Sequence, residues 1–90
     1  MKDIKDASAA VYIPAVYKTA ITKTTKTLAK KFGGTTNFLT EGTWVNEDGE
    51  LIKEEVTVIR AWYAKSQYLL ATAFIIDLAV RLREECKQDC

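Results

Sequence analysis

The segment 46–49, Asn-Glu-Asp-Gly, constrains the fold of this chain most, because it predicts a tight turn between two long strands. Asparagine and aspartate favour turns, and glycine at the fourth place suits a type I turn followed by a left-handed residue, a common hairpin geometry. We therefore predict strands over 35–46 and 50–63. In this geometry Asn46 lies opposite Glu50, which fixes the register of the whole hairpin.

Counting outwards from the turn pairs Trp44 with Ile52 and Phe38 with Val58. Because side chains alternate along a strand, this pairing sorts the hairpin into two faces. The predicted core face, which would receive the helices, carries Phe38, Trp44, Ile52, Val56, Val58 and Trp62. The opposite face is unusually apolar for a surface in water. It carries Leu39, Thr43, Val45, Leu51, Thr57, Ile59, Ala61 and Tyr63, with the charged Glu41, Lys53 and Glu55 among them.

Strand propensity and helical periodicity predict a strand over 8–15 and helices over 19–32 and 66–87. Pro14 favours an edge position for the first strand, and Ser66 can cap the second helix. The residues predicted to face the core are Ile21, Thr25, Leu28 and Phe32 in the first helix, and Tyr68, Thr72, Ile75, Ala79, Leu82 and Cys86 in the second.

The order of elements, β-α-β-β-α in a single domain over residues 1–90, predicts an α+β protein. Two helices on one face of an antiparallel-rich sheet form the two-layer ferredoxin-like plait, here lacking its final strand. The crossover of that plait puts strand 1 beside strand 3 and leaves strand 1 at the sheet edge. The sequence leaves open whether another chain supplies the missing strand.

The middle of the chain carries three short patterns: Gly33-Gly34-Thr35-Thr36-x-Phe38, then Gly42-x-Trp44, then Glu47-Asp48-Gly49-x-Leu51-Ile52-x-Glu54-x-Val56-x-Val58. Together they resemble a family of small uncharacterised bacterial and phage proteins with a G-x-W strand, a DG-x-L/I hairpin and an E-x-V strand. The resemblance covers roughly residues 32–63. It implies a ferredoxin-like fold and a phage or mobile-element setting, and it assigns no catalytic residue.

The chain contains no histidine, which removes the commonest general base and metal ligand. With no catalytic motif either, we expect that the protein is not an enzyme and uses no cofactor. Cys86 and Cys90 are two cysteines near one end, and a structural zinc site needs four ligands, so we predict no metal site. The glycines at 33 and 34 follow a helix, whereas those of a phosphate-binding loop open one.

Charge points to no partner, because 13 basic side chains balance 12 acidic ones. The lysines of the first helix are interpreted as a solvated face, and we expect no nucleic-acid binding because arginines and exposed aromatics are missing beside them. The start of the chain lacks the apolar run of a signal peptide, and the apolar stretch 68–76 is too short to span a bilayer. We therefore expect a cytoplasmic protein with no membrane partner.

The apolar second face of the hairpin carries the functional prediction, because a contiguous apolar patch marks an interaction surface. We predict a non-enzymatic module that forms a homodimer through its sheet face and binds or inhibits a protein partner. The predicted interface consists of Leu39, Val45, Leu51, Ile59 and Tyr63, with Leu70 and Phe74 from the polar side of the second helix. The alternative is a small-molecule or anion-binding protein with a pocket between the sheet and the second helix, near Arg60 and Trp62.

Overall fold

The computed structural model describes residues 5–88, and the surroundings of side chains as far as residue 85. It confirms an α+β chain with the predicted order of elements. The strands are β1 (Ala7–Pro14), β2 (Thr35–Val45) and β3 (Leu51–Tyr63), and the helices are α1 (Lys18–Phe32) and α2 (Tyr68–Gln88). Cys90 and the side chain of Cys86, which the sequence assigned to the core stripe of the second helix, lie outside the described part.

The turn between β2 and β3 has the predicted geometry. Gly49 adopts a left-handed φ of 81°, and its N–H donates to the Asn46 carbonyl at 3.0 Å. The Asn46 side-chain oxygen accepts from the backbone N–H groups of Asp48 and Glu50, both at 2.9 Å. These local bonds fix the register of the hairpin, and the predicted pairing of Trp44 with Ile52 is confirmed.

The three strands form one sheet in the order β1-β3-β2, and both neighbouring pairs are antiparallel. Strand 1 therefore lies beside strand 3, as predicted, and β1 and β2 are the two edges within residues 5–88. The loop from α1 into β2 begins at Gly33, whose φ of 93° is the left-handed conformation in which glycine commonly ends a helix. The Gly33 N–H donates to the Ala29 carbonyl at 2.8 Å.

The helices cover the sheet face that was predicted from the sequence to lie opposite the core, so the predicted core face is wrong. Val11 and Ile13 of β1 lie opposite Ile59 and Thr57 of β3. Val11, Ile13 and Ile59 belong to the same buried cluster as Leu28 of α1 and Leu78 of α2. The hairpin alone offers two apolar faces, and β1 decides between them because its Val and Ile project on the side of Ile59. The small Ala61 on this face, fully buried, leaves room for the helices.

The first helix packs on the sheet approximately as predicted. Ala20, Thr24 and Leu28 are its buried residues, while the predicted Ile21 and Phe32 flank them and pack against the core. The contact stripe is therefore rotated by part of a turn from the predicted one.

The second helix departs further from prediction. Its buried residues are Ala71 and Leu78, with Phe74, Ile75 and Leu82 packed partly against the core. Tyr68 and Ala79, both predicted to be buried, are exposed. Ser66 lies inside a short 3-10 turn, Lys65–Gln67, that leads into α2, so it does not precede the helix as a cap would.

Candidate functional site: an open sheet face and a strand edge

The sheet face turned away from the helices is rich in exposed aromatic side chains. Tyr12 of β1, Phe38 and Trp44 of β2, and Trp62 of β3 all lie on it, and each is at least 44% exposed. These residues were assigned to the core from the sequence, apart from Tyr12, which had no assigned role. Large aromatic groups gathered on one exposed face are unusual for a surface that stays in water. We call this surface the open face.

Two of these aromatics flank a buried valine. Tyr12 and Phe38 lie directly opposite Val58 on its two sides in the sheet. Val58 is only 1% exposed, although no helix covers this side of the sheet, because its aromatic neighbours shield it. The centre of the open face is therefore an apolar strip in which Val58 packs between Tyr12 and Phe38.

Arg60 is the positively charged group of the open face. It lies opposite Ala10 in β1 and Thr36 in β2, and its guanidinium donates to the Ser8 hydroxyl at 2.8 Å. Glu54 is exposed on the same face, nearer the hairpin turn. The open face thus has one positive group towards the helix-bearing end and one negative group towards the turn.

The predicted ligand pocket between the sheet and α2 is wrong in its position, because Arg60 and Trp62 lie on the side of the sheet away from α2. Trp62 instead lines a shallow cleft of about 280 Å³ at the end of the sheet, together with Lys5 and Phe32. The Lys5 ammonium hydrogen-bonds the Phe32 carbonyl in this cleft. The cleft does not include Arg60.

The predicted interface residues separate into two groups. Ile59 and Tyr63 are 0% and 5% exposed, and Phe74 packs edge-on against Phe32 with ring centres 5.8 Å apart. Ile59 and Tyr63 are therefore wrong as interface residues, because α1 and α2 cover the sheet face on which the prediction relied. Phe74 is wrong because its ring packs partly against the core. The remaining four are exposed as an interface requires: Leu39, Val45, Leu51 and Leu70.

The hairpin end extends beyond the helices, and the molecule is 52 Å long against 24 and 21 Å in its other dimensions. Leu39, Val45 and Leu51 lie on the helix-side face of the hairpin, yet each is more than 60% exposed. Trp44 is exposed on the other face of the same segment. This part of the hairpin therefore exposes large apolar side chains on both faces, with the charged Glu41, Lys53 and Glu55 among them on the helix-side face.

A second apolar feature runs along the free edge of β1. A groove of about 230 Å³ lies between this edge and α2, lined by Val11, Ile13, Tyr17, Ala79 and Leu82 among others. The sequence identified β1 as an edge strand but did not predict the groove, because the groove depends on how far α2 lies from β1 in the folded chain.

The lysines of α1 and four of the exposed aromatics lie on different layers of the molecule. Lys23 of α1 pairs with Glu85 of α2 at 3.1 Å, within the helical layer, whereas Tyr12, Phe38, Trp44 and Trp62 line the open face of the sheet. Nucleic-acid binding needs basic and stacking groups on one surface. Within residues 5–88, no cluster of three or more metal-ligating side chains occurs, and no helix has the length and apolarity to cross a bilayer.

Comparisons with family models, with curated proteins and with solved structures gave no match. The proposals below therefore rest on the chain's own residues.

Proposed function

We propose that this protein is a non-enzymatic interaction module that associates with a second copy of itself through the open face. We also propose that its fold is a ferredoxin-like plait without the fourth strand, since β3 lies between β1 and β2 and both helices pack on one side. A plait of this kind has one free sheet face, and here that face carries the aromatics. The exposed aromatic strip on the open face is the observation that carries the proposal.

The size of the open face supports association. The three strands contain 8, 11 and 13 residues, which at about 3.3 Å per residue and 4.8 Å between strands gives a flat area of roughly 500 Å². The relief of the side chains enlarges this area, and a standard interface buries about 800 Å² on each partner. The open face therefore provides more than half of the area of a standard dimer contact.

The charges on the open face favour a second copy as the occupant. A two-fold axis that lies in the interface and crosses β3 near Thr57 reverses the strand direction between the two copies. Arg60 and Glu54 are each three residues from Thr57, so this axis brings Arg60 of one copy over Glu54 of the other. Opposite charges meet, and the apolar strip around Val58 packs against its own counterpart.

The apolar hairpin end gives the assembly a surface for a different protein. Leu39, Val45 and Leu51 lie on the helix-side face of the hairpin, so a dimer through the open face leaves them exposed. We propose that the dimer binds, and thereby inhibits, a protein partner through these residues.

The test is the solution mass by size-exclusion chromatography with light scattering, at tens of micromolar chain. Trp62→Glu puts a charge into the open face and should halve the mass of the assembly. Leu69→Glu is the matched control, because Leu69 is 80% exposed on α2 and outside the open face. An unchanged mass for Trp62→Glu, in a chain that still folds by circular dichroism, would exclude association through the open face.

A further inference from the structure

The free edge of β1 lacks the usual protection against strand pairing. Natural sheets shield exposed edges with charged residues, proline or bulges. The eight residues of β1 include no charged side chain, and the single proline, Pro14, stands at the last position. The other edge strand, β2, carries Glu41 at its middle. The two edges therefore differ, and β1 is the one open to an added strand.

One hydrogen bond shows which backbone groups of β1 point outwards. The Ala15 N–H donates to the Glu55 carbonyl at 2.9 Å, and this pair continues the register of β1 with β3. In an antiparallel ladder, bonded and non-bonded pairs alternate. The odd-numbered residues of β1 therefore bond to β3, and the N–H and C=O groups of Ser8, Ala10 and Tyr12 point to the free edge.

The groove beside this edge is shaped for side chains of an added strand. Val11 and Ile13 of β1 line one side of it, and Ala79 and Leu82 of α2 line the other. Residues directly opposite each other in neighbouring strands place their side chains on the same face of the sheet. The residues of an added strand that pair with Val11 and Ile13 would therefore enter the groove, where apolar side chains match its lining.

One end of the groove carries a positive charge. Arg83 of α2 lies there beside Pro14, and it is the one charged residue among those that line the groove. Among the side chains described, as far as residue 85, none forms an ion pair with Arg83. In an antiparallel added strand, the side chain that precedes the two groove residues on the helix side lies at this end. An acidic residue at that position would meet the guanidinium.

We propose that this edge and groove bind an extended segment of a different protein, which adds to the sheet antiparallel to β1. The segment has an acidic residue for Arg83, followed at steps of two residues by two apolar residues for the groove. In this mode of recognition the main-chain hydrogen bonds give affinity, and the sites for alternate side chains give specificity. The added segment takes the place of the strand that the proposed plait lacks, beside β1.

Charge distinguishes this partner from a second copy of the chain. The strand β1 contains no acidic residue that could meet Arg83 of another copy. Asp6, which precedes the strand, accepts the Lys65 N–H at 2.7 Å, and Lys65 follows β3, so this carboxylate is held on the side away from the free edge. A second β1 would satisfy the backbone groups and leave Arg83 without a counter-charge, whereas an acidic partner segment satisfies both.

The test is residue-resolved amide hydrogen exchange on the full chain, with and without a synthetic peptide at millimolar concentration. The peptide carries glutamate, valine and valine at alternate positions and threonine between them. Binding predicts that Ser8, Ala10 and Tyr12 exchange at least about tenfold more slowly with the peptide, whereas Ala9 and Val11, which bond to β3, are protected in either state. Unchanged exchange at the first three would overturn the proposal. Slow exchange there in the associated chain before the peptide is added would assign the edge to a second copy and overturn it as well.

A charge exchange tests the chemistry of the partner. Arg83→Glu should weaken binding of the glutamate peptide by about tenfold and favour a peptide with lysine in its place. Arg81→Glu is the matched control, because Arg81 is an exposed arginine of α2 outside the groove, and it should leave both affinities unchanged. Equal binding of the two peptides to the natural chain would exclude an acidic partner.

This site goes beyond the association through the open face and does not depend on it. The outward backbone groups of β1 lie at the edge of the sheet, and the groove lies on its helix side. Trp62→Glu, which puts a charge into the open face, should therefore leave peptide binding unchanged. Loss of mass in Trp62→Glu with no peptide binding would exclude the edge site alone, and peptide binding by a chain of single-chain mass would exclude the open-face contact alone.

Discussion

Ile59 lies directly opposite Val11 in the β1–β3 ladder, and both side chains are buried beneath the helices. This single pairing decides which side of the sheet becomes the core. It turns the apolar face formed by Ile59, Ala61 and Tyr63 towards α1 and α2, and it turns the tryptophans towards solvent.

The buried position of Ile59 gives a first prediction. Ile59→Ala should lower the free energy of unfolding by about 2–4 kcal/mol, because it leaves a cavity in a closely packed core. Leu51→Ala, in the same strand but 62% exposed, should cost less than about 0.5 kcal/mol. Urea unfolding of the two variants at one protein concentration measures the difference. Equal losses would mean that Ile59 is not covered by the helices.

The turn glycine gives a second prediction. Gly49 has a φ of 81°, and a Cβ added there would meet no atom within 4 Å, so the effect of alanine is conformational strain alone. Gly49→Ala should destabilise the chain by roughly 1–2 kcal/mol. Gly34→Ala is the control, because Gly34 also has open space around it and no positive φ. Thermal unfolding should separate the two variants, and identical melting curves would contradict the left-handed turn.

The charges of the open face give a third prediction. Arg60→Glu alone and Glu54→Arg alone should each weaken association by about tenfold or more, which corresponds to about 1.4 kcal/mol. The double variant restores opposite charges across the two-fold axis and should recover much of the loss. Sedimentation equilibrium measures all four chains, and circular dichroism checks that Arg60→Glu, which loses the bond to Ser8, still folds. A double variant weaker than both single ones would exclude this register.

The sequence predicted the parts of the fold that local chemistry determines. The hairpin register follows from four turn residues, and the end of α1 follows from Gly33, so neither depends on distant contacts. The covered face could not be predicted from the hairpin, because both of its faces are apolar and the choice rests on the pairing of β1 with β3. The interface residues Ile59 and Tyr63 were misassigned for this reason alone.

The second helix shows a different limit of prediction from the sequence. Its apolar residues occupy more of its circumference than one monomer contact needs, so periodicity alone identified an apolar side but not the buried one. The predicted stripe through Tyr68 and Ala79 lies beside Ala71 and Leu78, the described residues of α2 that the core buries.

Tryptophan fluorescence on dilution tests the central claim most directly. The chain has two tryptophans, Trp44 and Trp62, and both lie on the open face, so their emission reports the burial of that surface. Association through the open face predicts a red shift and stronger acrylamide quenching on dilution, over the same concentration range in which light scattering reports the loss of mass. A falling mass with unchanged emission and quenching, or a single-chain mass of 10.1 kDa at every concentration, would contradict the claim.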